Sequence, residues 1–305
     1  MGRGEQTDEL GLDKLVTESR LSRDADYDEL STRELLELVN REDAVVPAAV
    51  AAAGDELAAA IEAIVGKLRR GGRLVYVGAG TSGRLAALDA EECESTFSTQ
   101  PGQVTAIVAG ASLASAAERD AAEDDAEAGA DAVRALGTAR DDAVVGVSAS
   151  GRTPFVVGAL EAAADAGALT VCVVSVPESE LARVAVHEVS VVVGPEVVAG
   201  STRLKAGTAQ KLVLNSISTL SMIRLGKTYG DLMVDVASTN EKLRARARRA
   251  VSLATAAEDD SVDAALAAAG GDAKVAIVSL LGDVDAEAAR ARLERAGGSI
   301  RRALR

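Results

Sequence analysis

The sequence predicts an α/β protein in which a doubly wound, five-stranded parallel sheet is followed by a small C-terminal helical domain. Five short apolar runs alternate with helical patterns between residues 55 and 193, as expected for parallel strands joined by right-handed crossovers. Aromatic residues are only 2% of the 305 residues and Trp is absent. The core must therefore consist of Ala, Val and Leu, the composition of helices packed closely on a parallel sheet. Beyond residue 240 only short amphipathic helical patterns remain.

Composition excludes several classes of function. The net charge of −14 and the pI near 4.7 argue against nucleic acid or an anionic membrane as a partner. No uncharged apolar run reaches the length of a membrane span, and the first twenty residues lack a signal-peptide core. We therefore expect a cytoplasmic protein. Cys93 and Cys172 form no C-x-x-C pair and the chain has a single His, so Cys93 is interpreted as a structural thiol.

The first predicted segment, residues 1–54, is polar and then helical. Ser31-Thr-Arg-Glu34 has the pattern of a helix start, with the helix running to about Asn40, and Pro47 opens the next helix. The stretch from Leu15 to Arg20 has no clear periodicity. We interpret it as a solvated turn.

The second segment, residues 55–227, contains the predicted sheet. A helix from Leu57 to Leu68 comes first, and a long helix over 204–226 comes last, while His187 is expected to border the last strand. Strands are predicted at residues 73–77, 104–108, 143–148, 169–175 and 189–193. Ligands of such sheets bind beyond the carboxyl ends of the strands, so the loops after the strands are the place to look for chemistry.

The third segment, residues 228–305, is predicted to be a small helical bundle. Glycine turns separate its helical patterns, which cover residues 241–253, 262–268, 273–281 and 286–296. No catalytic constellation is visible in it.

The loop after the first strand, Gly78-Ala-Gly-Thr-Ser-Gly83, leads into a helix N-terminus. Unpaired N–H groups and the helix dipole attract an anion there. The glycines also match the dinucleotide pattern G-x-G-x-x-G, but the second strand is followed by Ala109-Gly-Ala111, without the carboxylate that would hold a ribose. Thr81 and Ser82 instead supply hydroxyl donors for phosphate. The loop favours a phosphorylated small molecule, with a dinucleotide as the alternative.

Two further loops carry the same chemistry. Ser148, Ser150 and Thr153 surround Gly151 just before Pro154, which marks the first turn of a helix. Helix capping, the alternative role, would need one such hydroxyl per helix rather than three. The loop after the fifth strand contains Ser201, Arg203 and Lys205. Residues two apart on a helix do not share a face, so we expect only one of the two cations to reach a ligand.

These loops together resemble those of the N-acetylmuramic acid 6-phosphate etherases, within the sugar isomerase (SIS) family. The resemblance runs from about Leu15 to Leu304, and its motifs are Gly78-Ala-Gly-Thr-Ser-Gly-Arg-Leu85, Ser148-Ala-Ser-Gly-Arg-Thr-Pro154, Gly200-Ser-Thr-Arg-Leu-Lys-Ala-Gly-Thr-Ala-Gln-Lys211 and Leu232-Met-Val-Asp-Val236 with Thr239-Asn-Glu-Lys-Leu243. It implies that residues 55–227 form an SIS phosphosugar-binding domain and that the C-terminal domain is similar to ubiquitin-associated modules. It also implies a homodimer with its sites at the subunit interface.

The resemblance implies the site residues as well. Two glutamates of the family's active site match Glu92 and Glu123. The expected substrate-binding residues are Thr81, Ser82, Gly83, Ser148, Ser150, Gly151, Thr153, Ser201 and Lys205. The implied reaction eliminates D-lactate from the sugar and then hydrates the double bond. Two carboxyl groups suffice for it, so neither a metal nor another cofactor is expected. The sequence does not fix which glutamate is the acid, and we assign the base role to Glu123 and the acid role to Glu92.

Two other functions stay open at this point. Glucokinase regulatory protein resembles the same family and binds fructose phosphates through similar loops, so a non-catalytic sugar-phosphate-binding regulator is one alternative. That regulator has two SIS domains, whereas this sequence has one. A ketose–aldose isomerase on the same sheet is the other alternative, since it also needs acid–base groups.

Overall fold

The structure, a computed structural model, describes residues 15–21, 26–235 and 241–305. The motif residues 236–240 lie outside the described part of the chain. After a 3-10 turn at Tyr27–Glu29 come α1 (Thr32–Asp43), α2 (Val46–Ala52) and α3 (Gly54–Leu68).

The predicted start of α1 is confirmed, and its cause is local. The Ser31 hydroxyl accepts a hydrogen bond from the Glu34 N–H at 3.3 Å, and the Glu34 carboxylate accepts one from the Ser31 N–H at 2.9 Å. This reciprocal capping box satisfies two backbone donors at the helix start. Pro47 is the second residue of α2, as the sequence predicts.

The five predicted strands form one parallel sheet in the order β2-β1-β3-β4-β5. They are β1 (Leu74–Gly78), β2 (Val104–Val108), β3 (Ala143–Val147), β4 (Leu169–Val174) and β5 (His187–Ser190). Leu74 pairs with Ala143, and Ala143 pairs with Leu169. Because β2 lies on one side of β1 and β3 on the other, the chain reverses its direction of winding at β1, where such sheets bind ligands.

The fifth strand ends earlier than predicted. The sequence favours residues 189–193, but β5 spans His187–Ser190, where Ser190 pairs with Val174, the last residue of β4. Val191 and Val193 are still buried. The Val191 N–H still donates to the Val174 carbonyl at 2.8 Å, but β4 ends at Val174, so the pairing goes no further.

Six helices connect or follow the strands: α4 (Gly80–Phe97), α5 (Ala116–Glu123), α6 (Ala126–Ala135), α7 (Pro154–Asp165), α8 (Glu180–Val184) and α9 (Lys205–Arg224). Two glycines allow α6 and α7 to approach backbone to backbone. A Cβ at Gly129 would lie 1.9 Å from the Phe155 carbonyl oxygen, and one at Gly158 would lie 2.1 Å from that of Ala126. Small residues therefore give this core the close packing that its composition predicts.

The predicted C-terminal helices are confirmed as α10 (Glu241–Thr255), α11 (Asp259–Ala268), α12 (Ala273–Gly282) and α13 (Ala286–Arg295), to which the structure adds α14 (Ile300–Ala303). A hairpin of β6 (Thr228–Tyr229) and β7 (Leu232–Met233), absent from the sequence prediction, precedes them. Val251, Val262 and Ile277 are completely buried in the core of this helical part.

The chain divides into two compact units, Met1–Leu88 with Thr105–Asn215 and Asp89–Val104 with Ser216–Arg305. The first holds most of the sheet and the second holds the C-terminal helices. The predicted boundaries after residues 54 and 227 stay a prediction. Among the described residues no single helix is long and apolar enough to cross a membrane. Two pairs of consecutive helices, each bent at a short break, would be long and apolar enough together: Thr32–Ala52 with Gly54–Leu68, and Asp259–Ala268 with Ala273–Gly282.

The interpretation of residues 15–20 as a solvated turn was wrong. The segment does turn, but Leu15 is only 4% exposed and Thr17 only 2%. The Thr17 carbonyl accepts a hydrogen bond from the Gly200 N–H at 3.1 Å. Burial against a loop far along the chain leaves no periodic signature, which is why the pattern suggested solvent.

Candidate active site

The first loop joins β1 to α4 as tightly as glycine allows. A Cβ at Gly78 would lie 2.8 Å from the Gly83 nitrogen, and one at Gly83 would lie 2.7 Å from the Gly78 oxygen. Helix α4 already begins at Gly80, whose φ of +52° suits glycine. Thr81 and Ser82 therefore lie in the first turn of the helix, where backbone N–H groups have no helical acceptor.

The two hydroxyls of this loop have protein partners. Ser82 Oγ donates to Gln210 Oε1 at 2.9 Å, and Arg84 donates to Thr81 Oγ1 at 3.0 Å. The Gln210 side chain is only 2% exposed, and its Nε2 has no hydrogen-bond partner among the described residues. Helix α9 thus reaches the hydroxyl of the first loop through one amide.

The second loop brings its three predicted hydroxyls together. Ser148 Oγ lies 2.8 Å from Thr153 Oγ1 and 3.4 Å from Ser150 Oγ, and it accepts a hydrogen bond from the Gly151 N–H at 3.1 Å. Thr153 precedes α7 without a side-chain capping bond to it. The hydroxyls form a cluster rather than a cap. Since Gly78 pairs with Val147 in the sheet register, this loop starts beside the first loop.

The third loop follows β5 and reaches the first loop. The Thr202 N–H donates to the Gly200 oxygen at 3.0 Å, and the Gly207 N–H donates to the Thr202 oxygen at 2.9 Å. A Cβ at Gly207 would lie 3.6 Å from the Thr81 methyl carbon. The first turn of α9, which follows the loop that carries Ser201, therefore packs against the glycine turn.

The two cations of the third loop differ in their surroundings. Lys205 is 2% exposed, and its ammonium pairs with Glu42 Oε2 at 2.7 Å, whereas Arg203 is exposed. The buried Glu196 carboxylate accepts hydrogen bonds from the Lys205 and Ala206 N–H groups at 3.0 and 2.9 Å. Protein carboxylates thus already neutralise both the Lys205 charge and the start of α9.

Glu123 lies against the first loop. It is the last residue of α5, and its Oε1 is 2.8 Å from the position that a Cβ at Gly80 would occupy. Burial raises the pKa of this half-buried carboxyl, the charges of Asp120 and Asp124 raise it further, and Arg84 lowers it. Desolvation and like charges both disfavour the ionised form. A half-buried carboxyl group with a raised pKa therefore lies against the loop that the sequence predicts to bind an anion.

Glu92, the second predicted catalytic residue, is exposed on α4 in the part of that helix that belongs to the other compact unit. The neighbouring Cys93 is 2% exposed, and burial, aided by the charge of Asp89, raises the pKa of its thiol to about 12. The thiol therefore stays neutral, as expected for a structural cysteine.

Sequence reasoning missed one carboxylate at these loops. Glu18 Oε2 lies 2.7 Å from the position that a Cβ at Gly200 would occupy, and Gly200 has a φ of +77°. No hydrogen-bond donor for the Glu18 carboxylate is found in the described ranges 15–21, 26–235 and 241–305. Glu18 thus lies against a glycine of the third loop, just as Glu123 lies against a glycine of the first loop.

Comparison with known proteins is consistent across nearly the whole chain. Proteins described as N-acetylmuramic acid 6-phosphate etherase are 54% identical in Streptomyces avermitilis, covering 96% of this chain and 94% of the relative, and 56% identical in Rubrobacter xylanophilus, covering 96% and 97%. The relative of that description in Mycolicibacterium smegmatis is 50% identical, covering 97% of this chain and 99% of its own.

A family model and a solved structure are also similar to parts of this chain. The model of the glucokinase regulatory protein N-terminal SIS domain matches residues 56–164. A phosphoheptose isomerase structure from Francisella tularensis is 19% identical, covers 62% of this chain and 98% of its own, and has a TM-score of 0.48.

Proposed function

This chain belongs to the N-acetylmuramic acid 6-phosphate etherase family, and from that premise we propose that it cleaves the D-lactyl ether of N-acetylmuramic acid 6-phosphate. The products are D-lactate and N-acetylglucosamine 6-phosphate, which makes the protein a carbon–oxygen lyase in the recycling of cell-wall sugar. One observation in the site carries the proposal furthest. The Glu123 carboxyl, with its raised pKa, lies against Gly80 in the glycine turn.

The reaction needs one base and one acid. Ring opening turns C1 into an aldehyde, which acidifies the C2 proton. Glu123 accepts that proton, the bond between C3 and the ether oxygen breaks, and Glu92 protonates the departing lactate oxygen. Water then adds at C3 of the new double bond and C2 regains a proton. Because its pKa is raised, the ionised Glu123 carboxylate is a stronger base than an ordinary glutamate.

The phosphate group is held by hydroxyls and N–H groups in this proposal. Ser82, with Thr81 and Gly83, contributes from the first turn of α4, and the cluster of Ser148, Ser150, Gly151 and Thr153 contributes from the second loop. A 180° flip of the Gln210 side-chain amide would place its unpartnered Nε2 next to Ser82 Oγ. The amide would then donate to the Ser82 hydroxyl, and the hydroxyl proton would be free to bond to the ligand. Hydrogen bonds to a charged group are the stronger kind.

The third loop completes the proposed site. Ser201 is half-buried there, and Lys205 is buried at the end of the loop, where α9 begins. Because Glu42 already takes up the Lys205 charge, this lysine contributes less to phosphate binding than a free cation would. An ionised carboxylate accepts hydrogen bonds only. Glu18 therefore binds the sugar hydroxyls or the acetamido N–H and stays away from the phosphate and the lactyl carboxylate.

The proposal also covers assembly and location. The resemblance of the sequence to the family supports a homodimer with sites at the subunit interface. The substrate is a phosphorylated small molecule and the expected place of the reaction is the cytoplasm. Sedimentation analysis of the purified chain would report the oligomeric state.

The decisive experiment incubates the protein with N-acetylmuramic acid 6-phosphate and measures D-lactate. In oxygen-labelled water we expect the label at C3 of the sugar product and none in lactate, because elimination breaks the bond between C3 and the ether oxygen. Label in lactate would exclude elimination. A sugar-phosphate isomer without lactate would indicate an isomerase instead.

A second experiment separates the two glutamates. Glu92→Gln should take up deuterium at C2 in heavy water without releasing lactate, and Glu123→Gln should do neither. In both variants the residual lactate release should be at least about 10²–10⁴-fold below that of the unchanged protein, the usual contribution of a general acid or base. Glu94→Gln, an exposed carboxylate on the same helix, is the matched control. Exchange by the Glu123 variant alone would reverse the two roles.

The match of residues 56–164 to the glucokinase regulatory protein domain keeps one alternative, a non-catalytic regulator that binds sugar phosphates. Tight binding of the muramic acid phosphate without any lactate release would support it. The raised pKa of Glu123 favours the enzyme, because a regulator has no need of a proton-exchanging carboxyl at its anion site.

A further inference from the structure

A concave surface lies among the C-terminal helices, within the compact unit that does not contain the glycine loops. It has a volume of about 480 Å³ and is lined by Arg292, Arg295, Arg302 and Arg305 together with Ala296, Ala303 and Leu304. These lining residues carry no acidic side chain.

These four guanidinium groups, the arginine cluster, have no hydrogen bond or ion pair with any residue in the described ranges. Other cations of the same unit are paired, since Arg248 contacts Asp263 at 2.6 Å and Lys274 contacts Asp235 at 2.8 Å. Arg292 and Arg295 are three positions apart on α13. Side chains at that spacing are neighbours, and like charges there are destabilising. The positive charges of the cluster therefore repel one another, and a bound anion would relieve that repulsion.

The cluster stands on an ordered base. Leu293 and Ile300, on α13 and α14, are only 7% and 2% exposed. A turn at Gly297-Gly298, with φ values of +58° and +76°, folds the second pair of arginines back toward the first. A Cβ at Gly297 would lie 3.4 Å from Arg302 Nη2. The backbone that carries the four arginines is thus held by packing.

The charge of this part of the chain differs from the rest. Residues 241–305 contain twelve basic and ten acidic side chains, a net charge of +2, in a chain whose total is −14. The remaining 240 residues therefore carry −16. An anion is attracted to this concavity by its local charge, against the field of the whole protein.

We propose that the arginine cluster is a binding site for an oligophosphate anion, of the pyrophosphate or triphosphate class. Each guanidinium group can donate two parallel hydrogen bonds to a pair of phosphate oxygens. Several guanidinium groups around one concavity therefore favour a ligand with more negative charge than a phosphate monoester. The volume is that of a small-molecule site. No aromatic side chain lines it, so bases have no stacking platform, which disfavours nucleic acid. The proposal is independent of the reaction at the glycine turn.

The test is calorimetric titration of the full chain with inorganic pyrophosphate at low salt. The Ser82→Ala/Ser150→Ala variant serves as the background, since it weakens the proposed substrate site. We expect binding to persist there, and to fall at least about tenfold when Arg292→Gln and Arg302→Gln are added. Arg244→Gln with Arg246→Gln is the matched control, because both are exposed arginines of α10 in the same unit. Circular dichroism confirms that each variant is folded.

Four results would overturn the proposal. These are no pyrophosphate binding in the Ser82→Ala/Ser150→Ala background, an equal loss in the control pair, equally tight binding of inorganic phosphate, and displacement of pyrophosphate by a single-stranded oligonucleotide at lower concentration. An equal loss in the control would mean that the positive charge of the whole unit, and not a defined site, attracts pyrophosphate. Displacement by the oligonucleotide would mean a nucleic-acid surface.

Discussion

The first loop, 78–83, and the second loop, 148–153, follow neighbouring strands but hold their hydroxyls in different ways. Ser148 bonds to Thr153, five positions away, and to the Gly151 N–H. Ser82 bonds to Gln210, 128 positions away. The hydroxyls of the second loop are therefore bonded within the loop itself, whereas the hydroxyl of the first depends on the packing of another helix. The backbone of the second loop also has distant partners, since the Ser175 and Leu181 N–H groups donate to the Ala149 and Gly151 oxygens at 3.0 Å. Changes on α9 should therefore alter the hydroxyl of the first loop more than the hydroxyl cluster of the second.

The largest expected effect comes from breaking the second loop with Gly151→Ala. Gly151 has a φ of +67°, and a Cβ there would lie 2.2 Å from Ser179 Oγ. Gly137→Ala is the matched control, because Gly137 has a φ of +63° with nothing within 4 Å. The control should lose about 1–2 kcal/mol from the left-handed backbone alone. Gly151→Ala should lose about a further 1–3 kcal/mol from the overlap, as measured by urea unfolding. Equal losses would mean that Ser179 moves aside freely.

The first loop is broken by Gly80→Ala, with a different consequence. Its Cβ would lie 2.8 Å from Glu123 Oε1, the end of a flexible side chain that can move. Stability should therefore fall only by the backbone term, while kcat falls up to about 10²-fold because the carboxylate is displaced by about 1 Å. Gly230→Ala, with a φ of +61° and open space around it, is the control. An unchanged kcat in Gly80→Ala would separate Glu123 from the chemistry.

The dependence of the first loop on α9 can be measured by a double-mutant cycle. Ser82→Ala and Gln210→Ala should be coupled by about 0.5–3 kcal/mol in substrate affinity, as residues in direct contact usually are. Ser150→Ala and Gln210→Ala should be additive within about 0.5 kcal/mol. Equal coupling in both cycles would show that the two loops act as one unit.

The smallest expected effect is a shift of the pH profile. Because the pKa of Glu123 is raised, the acidic limb of kcat should lie above the range of an ordinary glutamate, with activity lost as pH falls through that pKa. Asp120→Asn or Asp124→Asn removes a repelling charge and should move the limb to lower pH. Arg84→Gln should move it to higher pH. Asp165→Asn, an exposed carboxylate at the end of α7, should leave it in place. Shifts of the opposite sign would contradict the assignment of Glu123.

The fold follows from the sequence to within a few residues because its causes are local. Apolar runs place the strands, the Ser31 capping box starts α1, and glycine spacing builds the turn into α4. The grouping of Ser148, Ser150 and Thr153 was predictable for the same reason, since these residues are close in the chain. The end of β5 was not predictable, because it depends on where β4 stops pairing.

The sequence by itself determined the sheet, the two hydroxyl loops and the helical character of the C-terminal part. Only the tertiary structure decided where carboxylates lie against the glycine positions of the loops. It placed Glu18 at Gly200 and Glu123 at Gly80, and it paired Lys205 with Glu42, 163 positions away. Hydrogen-bonding patterns within a turn are written into neighbouring residues. Contacts between distant segments depend instead on the packing of the whole unit, which leaves no periodic trace in the chain.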